Sequence, residues 1–248
     1  MPKIMLVTGA GRGIGAATAK LAAARGYAVA VNYRASRQAA EALVEEIAAG
    51  GGRAIAVKGD VAVEKDVKRL FETVDSELGV LDVLVNNAGI LETSMRLDQM
   101  TPERWGRILA TNVTGCFLCA KEAILRMSTR HGGKGGTIVN VASAASWLGS
   151  PNEFIDYAAS KGALDTMTIG LAKELARENV RVNAVRPGLI RTEIHASSGE
   201  PDRVKRLEDA VPMGRGGEPE EVAEAILWLA GEQSSYVTGT FINVSGGR

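Results

Sequence analysis

The sequence predicts an α/β fold: a single domain built on a doubly wound parallel sheet of about seven strands, with helices on both faces. Three observations predict this class. Short segments rich in Val, Ile and Leu alternate with longer amphipathic segments along all 248 residues. The short segments show little polar alternation, which is typical of strands covered on both faces. A glycine-rich turn follows the first short segment and opens a helix, as the first unit of such a sheet requires.

The elements follow one another in chain order, and turn residues separate them. Strands are predicted at residues 3–7, 28–33, 53–57, 81–86, 137–141, 181–186 and 240–244. Helices are predicted at residues 14–25, 37–49, 64–78, 102–127, 156–177 and 219–230. Glycine runs at 50–52 and 132–136 end two of these helices, and Thr101 with Pro102 is a typical helix start.

Residues 188–217 form one long irregular segment. Prolines, glycines and polar residues fill it, with room for a short helix at 202–210. Long loops in compact domains are usually lids or binding loops. We therefore expect residues 188–217 to be a substrate-binding lid of the single domain that spans residues 1–248.

Charge and hydropathy exclude several classes of protein. Lys plus Arg and Asp plus Glu both number 29, and a nucleic-acid-binding protein normally carries a basic excess. The first strand pattern begins at Lys3, which leaves no room for a signal peptide, and we find no apolar run long enough to span a bilayer. We therefore expect a soluble cytoplasmic protein with no nucleic-acid or membrane partner.

Two cysteines, Cys116 and Cys119, have the CxxC spacing of redox and zinc sites. The chain has no second such pair, and only His131 and His195 could complete a ligand set. The interpretation we adopt is that both cysteines are small apolar residues of a helix. No metal site is predicted.

Residues 8–15 read TGAGRGIG and lie between the first strand and the first helix. Gly9, Gly13 and Gly15 allow a tight turn and a close approach of the backbone to a pyrophosphate, and Ile14 begins the helix. A helix N-terminus then offers free N–H groups and a favourable dipole to the phosphates. The strand–turn–helix context predicts a dinucleotide site.

The end of the second strand indicates which dinucleotide binds. NAD sites usually place a carboxylate there, which accepts hydrogen bonds from the adenine ribose. In this chain Tyr33 occupies that place, Arg34 follows it, and Arg12 in the glycine turn points toward the same region. Guanidinium groups bind a 2′-phosphate that a carboxylate would repel. The sequence predicts NADP(H) as the preferred cofactor, with NAD(H) as the alternative.

Tyr157 and Lys161 have the spacing YxxxK, which places both side chains on one face of a predicted helix. An isolated tyrosine has a pKa of about 10, and a nearby ammonium favours the phenolate. Tyr157 is therefore a candidate general acid and base. Ser143, at the end of the fifth strand, can hold a substrate oxygen beside it. Asn112 lies inside a predicted helix, where asparagine is mildly unfavourable and suggests a functional role.

Taken together, these motifs resemble the short-chain dehydrogenase/reductase family over nearly the whole chain. The resemblance implies a Rossmann fold and an oxidoreductase that interconverts a carbonyl and an alcohol by hydride transfer. It identifies Asn112, Ser143, Tyr157 and Lys161 with the family's catalytic tetrad. In the family, the asparagine holds a water that links the lysine to solvent, and the lysine also binds the nicotinamide ribose.

The resemblance also implies further cofactor contacts. Asp60 and Val61 match the family's adenine-contacting pair after the third strand. The NNAG motif at 86–89 follows the fourth strand, and the PG motif at 187–192 follows the sixth. The implied contacts within these two motifs are Asn87, Ala88, Gly89, Pro187, Gly188, Ile190 and Thr192.

The substrate is not specified by the motifs. Residues 144–156 are one residue longer than in bacterial 3-oxoacyl-carrier-protein reductases and contain Trp147, Glu153 and Phe154. If these reach the pocket, Trp147 provides an apolar wall and Glu153 a hydroxyl acceptor. Together with residues 191–196 and 235–239, this segment looks most like a bacterial subgroup labelled glucose-1-dehydrogenase-like.

Three alternatives for the function stay open. A sugar or other small polyol, with NAD as the preferred cofactor, is one. A 3-oxoacyl thioester on a carrier protein is another, and Arg126, Arg130 and Arg177 could supply part of the basic docking surface that it needs. A dinucleotide-binding scaffold without catalysis is the third, and the intact tetrad speaks against it.

The helices predicted at 102–127 and 156–177 are long and carry many apolar positions. In the family such helices pair between subunits. The resemblance therefore implies a homotetramer, with a dimer as the alternative.

Overall fold

A computed structural model describes residues 2–248. Its centre is a sheet of seven strands in the order β3-β2-β1-β4-β5-β6-β7. The strands are β1 (Ile4–Val7), β2 (Ala28–Tyr33), β3 (Arg53–Lys58), β4 (Val83–Asn86), β5 (Gly136–Val141), β6 (Val180–Pro187) and β7 (Phe241–Val244). Every neighbouring pair is parallel. The predicted α/β class and the seven-stranded parallel sheet are confirmed.

Ten α-helices connect and cover the strands of the described chain. They are α1 (Gly13–Ala24), α2 (Arg37–Ala49), α3 (Glu64–Glu77), α4 (Pro102–Leu109), α5 (Gly115–Met127), α6 (Ala145–Leu148), α7 (Ile155–Leu175), α8 (Ile194–Ser197), α9 (Arg203–Leu207) and α10 (Pro219–Ala230). The helix predicted at 102–127 is continuous, but it contains a π-helical turn at Ala110–Thr114 that separates α4 from α5. The short helices α6 and α8 were not predicted, because four residues are too few to show a helical period.

Two apolar layers hold the helices against the sheet. Leu6 and Ala30 face a layer shared with α3, α5 and α7, whereas their neighbours Val7 and Val31 face a layer shared with α1, α2 and α10. Successive strand residues therefore enter opposite layers, and both layers are apolar. This is why the strands show little polar alternation in the sequence.

The strand order positions a binding site. The chain moves outward from β1 to β2 and β3, and then returns to place β4 on the other side of β1. Loops that leave neighbouring strands in opposite directions open a crevice at the carboxyl ends of those strands. In this sheet the crevice lies beyond β1 and β4, where the glycine turn and the NNAG motif begin.

One helical stretch bears on the expectation that no apolar run spans a bilayer. By length and composition, the helical stretch Pro102–Met127 could cross a bilayer. Half of its most apolar window is buried inside the protein, where Ala120, Ala123 and Met127 pack on the sheet. An apolar core helix passes the same criteria as a membrane span, so the stretch by itself is weak evidence for a membrane.

Cys116 and Cys119 lie on the buried face of α5 and are not joined to each other. Burial raises the pKa of the Cys116 thiol to about 11 and also raises that of Cys119. The Cys116 thiol donates a hydrogen bond to the Asn112 carbonyl oxygen at 3.3 Å. Both residues therefore behave as core packing groups, and among residues 2–248 no cluster of three or more potential metal ligands is found.

Candidate active site

A single cavity of about 370 Å³ follows the carboxyl edge of the sheet from β3 to β6. Two of the predicted site residues, Gly15 and Asn112, do not line it and pack behind its wall. The predicted residues that do line it are Gly9, Arg12, Gly13, Ile14, Tyr33, Arg34, Asp60, Val61, Asn87, Ala88, Gly89, Ser143, Tyr157, Lys161, Pro187, Gly188, Ile190 and Thr192.

The glycine turn is held by the backbone of its neighbours. Gly9 and Gly13 have φ angles of +61° and +54°, which other residues rarely adopt. A Cβ atom at Gly9 would lie 2.9 Å from the Ala88 Cα, and one at Gly15 would lie 2.8 Å from the Ala10 Cα. The turn is therefore packed backbone against backbone, and a side chain at Gly9 or Gly15 would force its neighbours apart.

Thr8 and Asn87 join the glycine turn to the NNAG motif. The Thr8 hydroxyl accepts hydrogen bonds from the backbone N–H groups of Asn87 and Ala88, both at 3.0 Å. The Asn87 side-chain amide donates to the carbonyl oxygens of Thr8 at 2.8 Å and Gly9 at 3.1 Å. Asn87 therefore has a structural role in addition to its place on the cavity wall.

Asn32, which the sequence analysis did not select, supports the turn from β2. Its Oδ1 accepts from the Gly9 N–H at 3.1 Å, and its Nδ2 donates to the Gly59 carbonyl at 3.0 Å. A buried asparagine near the end of an apolar strand is the sequence signal that could have identified it.

The end of the cavity at β2 contains the groups predicted to select the cofactor. Tyr33 is buried, whereas Arg12 and Arg34 are exposed. The Arg34 guanidinium lies 3.8 Å from an Asp60 carboxylate oxygen, and the other Asp60 oxygen accepts from the Ala62 N–H at 3.0 Å. Asp60 is thus fixed by its own turn and partly balances the charge of Arg34.

The other end of the cavity contains the YxxxK pair. Tyr157 and Lys161 lie on α7, and the Lys161 Nζ is 5.6 Å from the centre of the Tyr157 ring. Lys161 is almost completely buried, and its Nζ donates to the Val141 carbonyl oxygen at 2.7 Å. Ser143 lies two residues beyond that carbonyl, and its hydroxyl accepts from the Ala145 N–H at 3.1 Å. The end of β5 thus positions both Lys161 and Ser143.

Asn112 lies in the π-helical turn and is fully buried. Its Oδ1 accepts from the Ile90 N–H at 2.8 Å, and its Nδ2 donates to the Ile90 carbonyl at 3.1 Å and to the Ser160 hydroxyl at 3.0 Å. A Cβ on Gly89 would be 3.5 Å from the Asn112 Oδ1 and 3.6 Å from the Lys161 Nζ. Asn112 and Lys161 therefore flank the same glycine, and the Asn112 side chain ties the π-turn to α7.

Residues 188–217 close on themselves over the cavity. A bridge joins Ile190 to Gly217, and α8 and α9 lie between these two points. The Ile190 carbonyl lies 2.9 Å from the His195 Nε2, and burial lowers the pKa of His195. Arg203 on α9 lines the cavity with only a tenth of its side chain exposed. Neither His195 nor Arg203 was predicted as a site residue, because neither belongs to a recognised motif.

Of the three residues considered for the substrate wall, only Phe154 lines the cavity. Trp147 is exposed and stacks on the Arg186 guanidinium at 5.0 Å. Glu153 forms ion pairs with Arg203 at 2.6 Å and Arg206 at 3.7 Å. Trp147 and Glu153 therefore do not reach the pocket, and Leu148, Ser150 and Phe154 line this part of the cavity.

The arginines considered for docking a carrier protein lie at the wrong edge of the sheet. Arg126 lies in the last turn of α5, Arg130 lies just beyond α5, and Arg177 lies just beyond α7, so all three precede strands instead of following them. Arg126 is also mostly buried and paired with Asp75 at 2.7 Å. None of the three is part of the cavity wall, because the cavity lies at the opposite, carboxyl edge.

A family model described as enoyl-(acyl carrier protein) reductase matches residues 9–248. An uncharacterized oxidoreductase of Escherichia coli, YgfF, is 54% identical over 245 residues, which cover 99% of each chain. A 3-oxoacyl-[acyl-carrier-protein] reductase of Synechocystis is 42% identical over 247 residues, covering 99% of this chain and 96% of the relative.

Solved structures agree with these relatives. The 3-ketoacyl-(acyl-carrier-protein) reductase from Brucella melitensis, complexed with NADH, matches with a TM-score of 0.91 at 35% identity. That match covers 99% of this chain and 98% of the other. The protein is therefore an oxidoreductase of the class that acts on CH–OH or keto groups with NAD(P). The chain belongs to the short-chain dehydrogenase/reductase family.

Proposed function

We propose that this protein is an NADP(H)-dependent oxidoreductase that interconverts a carbonyl and a secondary alcohol, with Tyr157 as the general acid and base. One observation carries the proposal. A single cavity contains the glycine turn and Arg34 at one end, and Ser143, Tyr157 and Lys161 at the other. The glycine turn suits a pyrophosphate, because Gly9, Gly11 and Gly13 line the cavity without side chains and the N-terminus of α1 begins there.

When bound, the nicotinamide cofactor supplies the hydride or accepts it. The residues of the chain handle the proton and the oxygen. The Ser143 hydroxyl donates a hydrogen bond to the substrate oxygen, and the Tyr157 phenol gives that oxygen its proton during reduction. The buried Lys161 ammonium places a positive charge beside Tyr157, where negative charge develops as the proton leaves. Oxidation of the alcohol uses the same groups in reverse.

Two features favour NADP(H) over NAD(H). Arg12 and Arg34 line the cavity and can bind a 2′-phosphate, and Tyr33 occupies the position where NAD sites usually have a ribose-binding carboxylate. The neighbouring Asp60 tempers this preference by partly balancing Arg34. The pyrophosphate would lie against Gly13 and Ile14, and the nicotinamide end against Thr192 and Ile190. The cofactor-binding roles of the remaining residues of the wall are part of the same proposal.

The test is a panel of carbonyl substrates run with NADPH and with NADH, on the natural protein and on Arg34→Asp. We expect Arg34→Asp to raise KM for NADPH by about tenfold or more, because one charge-assisted pair is lost and a repulsive charge is added. KM for NADH should change much less. Arg25→Asp, on the far side of α1 and paired with Glu224, is the matched surface control. Equal changes in both constants would remove the NADP assignment.

A second candidate is reduction of a 3-oxoacyl group on a carrier protein, which the Synechocystis and Brucella relatives favour by name. Three cations of residues 188–217 oppose it, because Arg191, Arg203 and Arg206 are each paired with a glutamate, which leaves the exposed Lys205 as the cation of α9 with no carboxylate partner among residues 2–248. A carrier protein needs free basic groups to recognise its acidic surface. Comparing a 3-oxoacyl-pantetheine with the same acyl group on carrier protein separates the candidates: a much lower KM for the latter would support docking.

The proposal includes a homotetramer in the cytoplasm. Trp105, Leu109, Phe117 and Leu125 place large apolar side chains on the outer faces of α4 and α5, each at least one-third exposed. Ile169 adds another on α7. Contiguous exposed apolar surface usually marks a contact between proteins. Light scattering should give four chains per particle, and Phe117→Glu should reduce that number.

A further inference from the structure

Arg104 and Asp156 form the most buried ion pair among residues 2–248, with 4% of each side chain exposed. The Arg104 Nε donates to one Asp156 carboxylate oxygen at 2.6 Å, and Nη2 donates to the other at 3.3 Å. Arg104 lies in the first turn of α4, and Asp156 lies in the first turn of α7, 52 residues later. Neither residue belongs to a motif of the sequence analysis.

The same pair reaches two further parts of the site. The Arg104 Nη1 donates to the Thr93 carbonyl oxygen at 2.6 Å, in the segment whose Ile90 and Leu91 line the cavity. Asp156 accepts the backbone N–H of Tyr157 at 2.9 Å. The carboxylate therefore holds the backbone of the proposed acid and base directly, and the guanidinium fixes that carboxylate to α4 and to the cavity wall.

A contribution to folding stability does not by itself explain why a buried ion pair occupies this position. Removing two charges from water costs about as much as their attraction returns, so an apolar pair of the same volume would hold two helices equally well. The pair does two things that an apolar pair cannot do. It makes directional hydrogen bonds at the first turn of α7, and it leaves no net charge beside Tyr157.

We propose that Arg104 and Asp156 are positioning residues for the reaction at Tyr157. They hold the first turn of α7 in register with α4 and with segment 90–96, and they keep the charge beside Tyr157 balanced. Neither side chain lines the cavity, so both act through Tyr157 and not on the substrate. This inference rests on the proposed function of Tyr157.

Removing either charge of the pair should shift the pH profile of the reaction in a direction that depends on which charge remains. Arg104→Gln leaves an unpaired carboxylate next to Tyr157, which disfavours a phenolate; Asp156→Asn leaves an unpaired guanidinium, which favours it. The other charged or titratable groups near that end of the cavity are Lys161, Glu193, His195, Arg203 and Arg248, and they are the same in all variants. A residue with only a structural role would not move the pH profile in opposite directions.

The experiment measures the pH profile of alcohol oxidation with saturating cofactor. We expect Arg104→Gln to move the midpoint of the rising limb to higher pH and Asp156→Asn to lower pH, each by about half a unit or more. The double variant Arg104→Gln/Asp156→Asn should return to within about 0.2 units of the natural protein, because the charges cancel again. Shifts in the same direction, or no shift in folded single variants, would overturn the proposal.

A control and a second variant keep the result interpretable. Arg107 lies one turn further along α4 and makes a two-pronged pair with Glu92, but it is more than half exposed, so Arg107→Gln should leave the profile unchanged. If a single variant does not fold, Arg104→Met/Asp156→Leu replaces the pair by apolar groups. It should melt near the natural temperature and bind NADPH normally, with kcat lowered about tenfold. A natural kcat in that folded variant would overturn the proposal.

Different results would contradict the proposed function of Tyr157 and the positioning role of Arg104 and Asp156. If the natural protein transfers no hydride to any carbonyl of the panel, or if Tyr157→Phe keeps its turnover, Tyr157 is not the acid and base. The positioning proposal fails on its own when Tyr157→Phe is inactive and the Arg104 and Asp156 variants keep the natural profile and kcat.

Discussion

The two ends of the cavity are built in different ways. At the cofactor end, backbone meets backbone: Gly9 and Gly15 approach Ala88 and Ala10 so closely that no Cβ fits, and Thr8 and Asn87 bond main-chain atoms. At the other end, which is proposed to bind the substrate and is called the substrate end here, charged side chains from distant segments meet. Ion pairs among Glu153, Arg203, Glu200 and Arg206 join the loop before α7 to residues 188–217, the proposed lid.

This difference decides how each end responds to change. Backbone contacts are short, crowded and insensitive to salt, so one added methyl group is enough to disturb them. Ion pairs that are partly exposed contribute little each and are screened by salt. We therefore expect the cofactor end to be rigid and intolerant of substitution, and the substrate end to be adjustable.

The largest expected effect lies at the end of the cavity that contains Tyr157. Tyr157→Phe removes the proposed proton donor and should lower kcat by about 10²–10⁴-fold, the usual contribution of general acid–base catalysis. NADPH binding, measured by fluorescence titration, should stay within about twofold. Tyr236→Phe is the control, because Tyr236 is fully exposed and does not line the cavity. A Tyr157→Phe variant with natural turnover would remove the chemistry from this residue.

The next effect tests the rigid end. Gly15→Ala would place a Cβ 2.5 Å from the Asn87 amide and 2.8 Å from the Gly9 carbonyl oxygen. We expect it to cost about 1–3 kcal/mol of folding stability and to weaken NADPH binding about tenfold or more, because the turn must shift. Gly170→Ala has open space around its Cβ in α7 and should be neutral or slightly stabilising. Calorimetry and cofactor titration on both variants would show whether the cofactor end is as intolerant as the contacts imply.

The sequence predicted the rigid end well because its information is local. A strand, a glycine turn and a helix lie within residues 4–24, and glycines that permit a positive φ or a close approach are visible as letters. The fold class and the family could also be predicted from such local motifs, and both are confirmed. The preference for NADP(H) and the catalytic roles stay predictions, since similarity to the family does not test them.

The substrate end was predicted poorly because its contacts cross long stretches of chain. Glu153 pairs with Arg203 across 50 residues, and Arg104 pairs with Asp156 across 52. No periodicity or spacing rule connects such positions. Trp147 was considered for the pocket wall on the condition that it reaches the pocket, but the four-residue helix α6 places it on the surface against Arg186.

A smaller effect, on KM for the carbonyl substrate, is expected at the substrate end. Glu153→Gln removes one partner of Arg203 and Arg206, each of which keeps Glu200. A partly exposed pair contributes about 0.2–1 kcal/mol, so KM for the carbonyl substrate should rise by a factor of about 1.4 to 5, with the cofactor KM unchanged. Salt at about 1 M should produce a similar rise in the natural protein and a smaller one in the variant. Glu224→Gln, which breaks the remote pair with Arg25, should leave both KM values unchanged.

The smallest expected effect is a pH dependence of local stability in residues 188–217, the proposed lid. Burial is the main cause that lowers the pKa of His195, with the nearby Arg203 acting in the same direction and the bond to the Ile190 carbonyl opposing both. Because that carbonyl can only accept, Nε2 carries the proton, and the buried Nδ1 has no partner among the described residues. The folded lid therefore favours the neutral imidazole.

The sign follows from linkage. A histidine whose pKa is lower in the folded state than in the unfolded one stabilises the fold fully above the ordinary value of about 6.5 and loses that contribution as the pH falls through its folded pKa. Hydrogen exchange in residues 188–217, corrected for its intrinsic pH dependence, should therefore accelerate below about pH 6, by at most about tenfold per unit for one proton. Peptides of the glycine turn should not change. His195→Gln should abolish the acceleration of exchange. His131→Gln is the control, because His131 is the other histidine of the chain and is exposed, and it should keep the acceleration. If exchange still accelerates at low pH in His195→Gln, the titrating group is another residue.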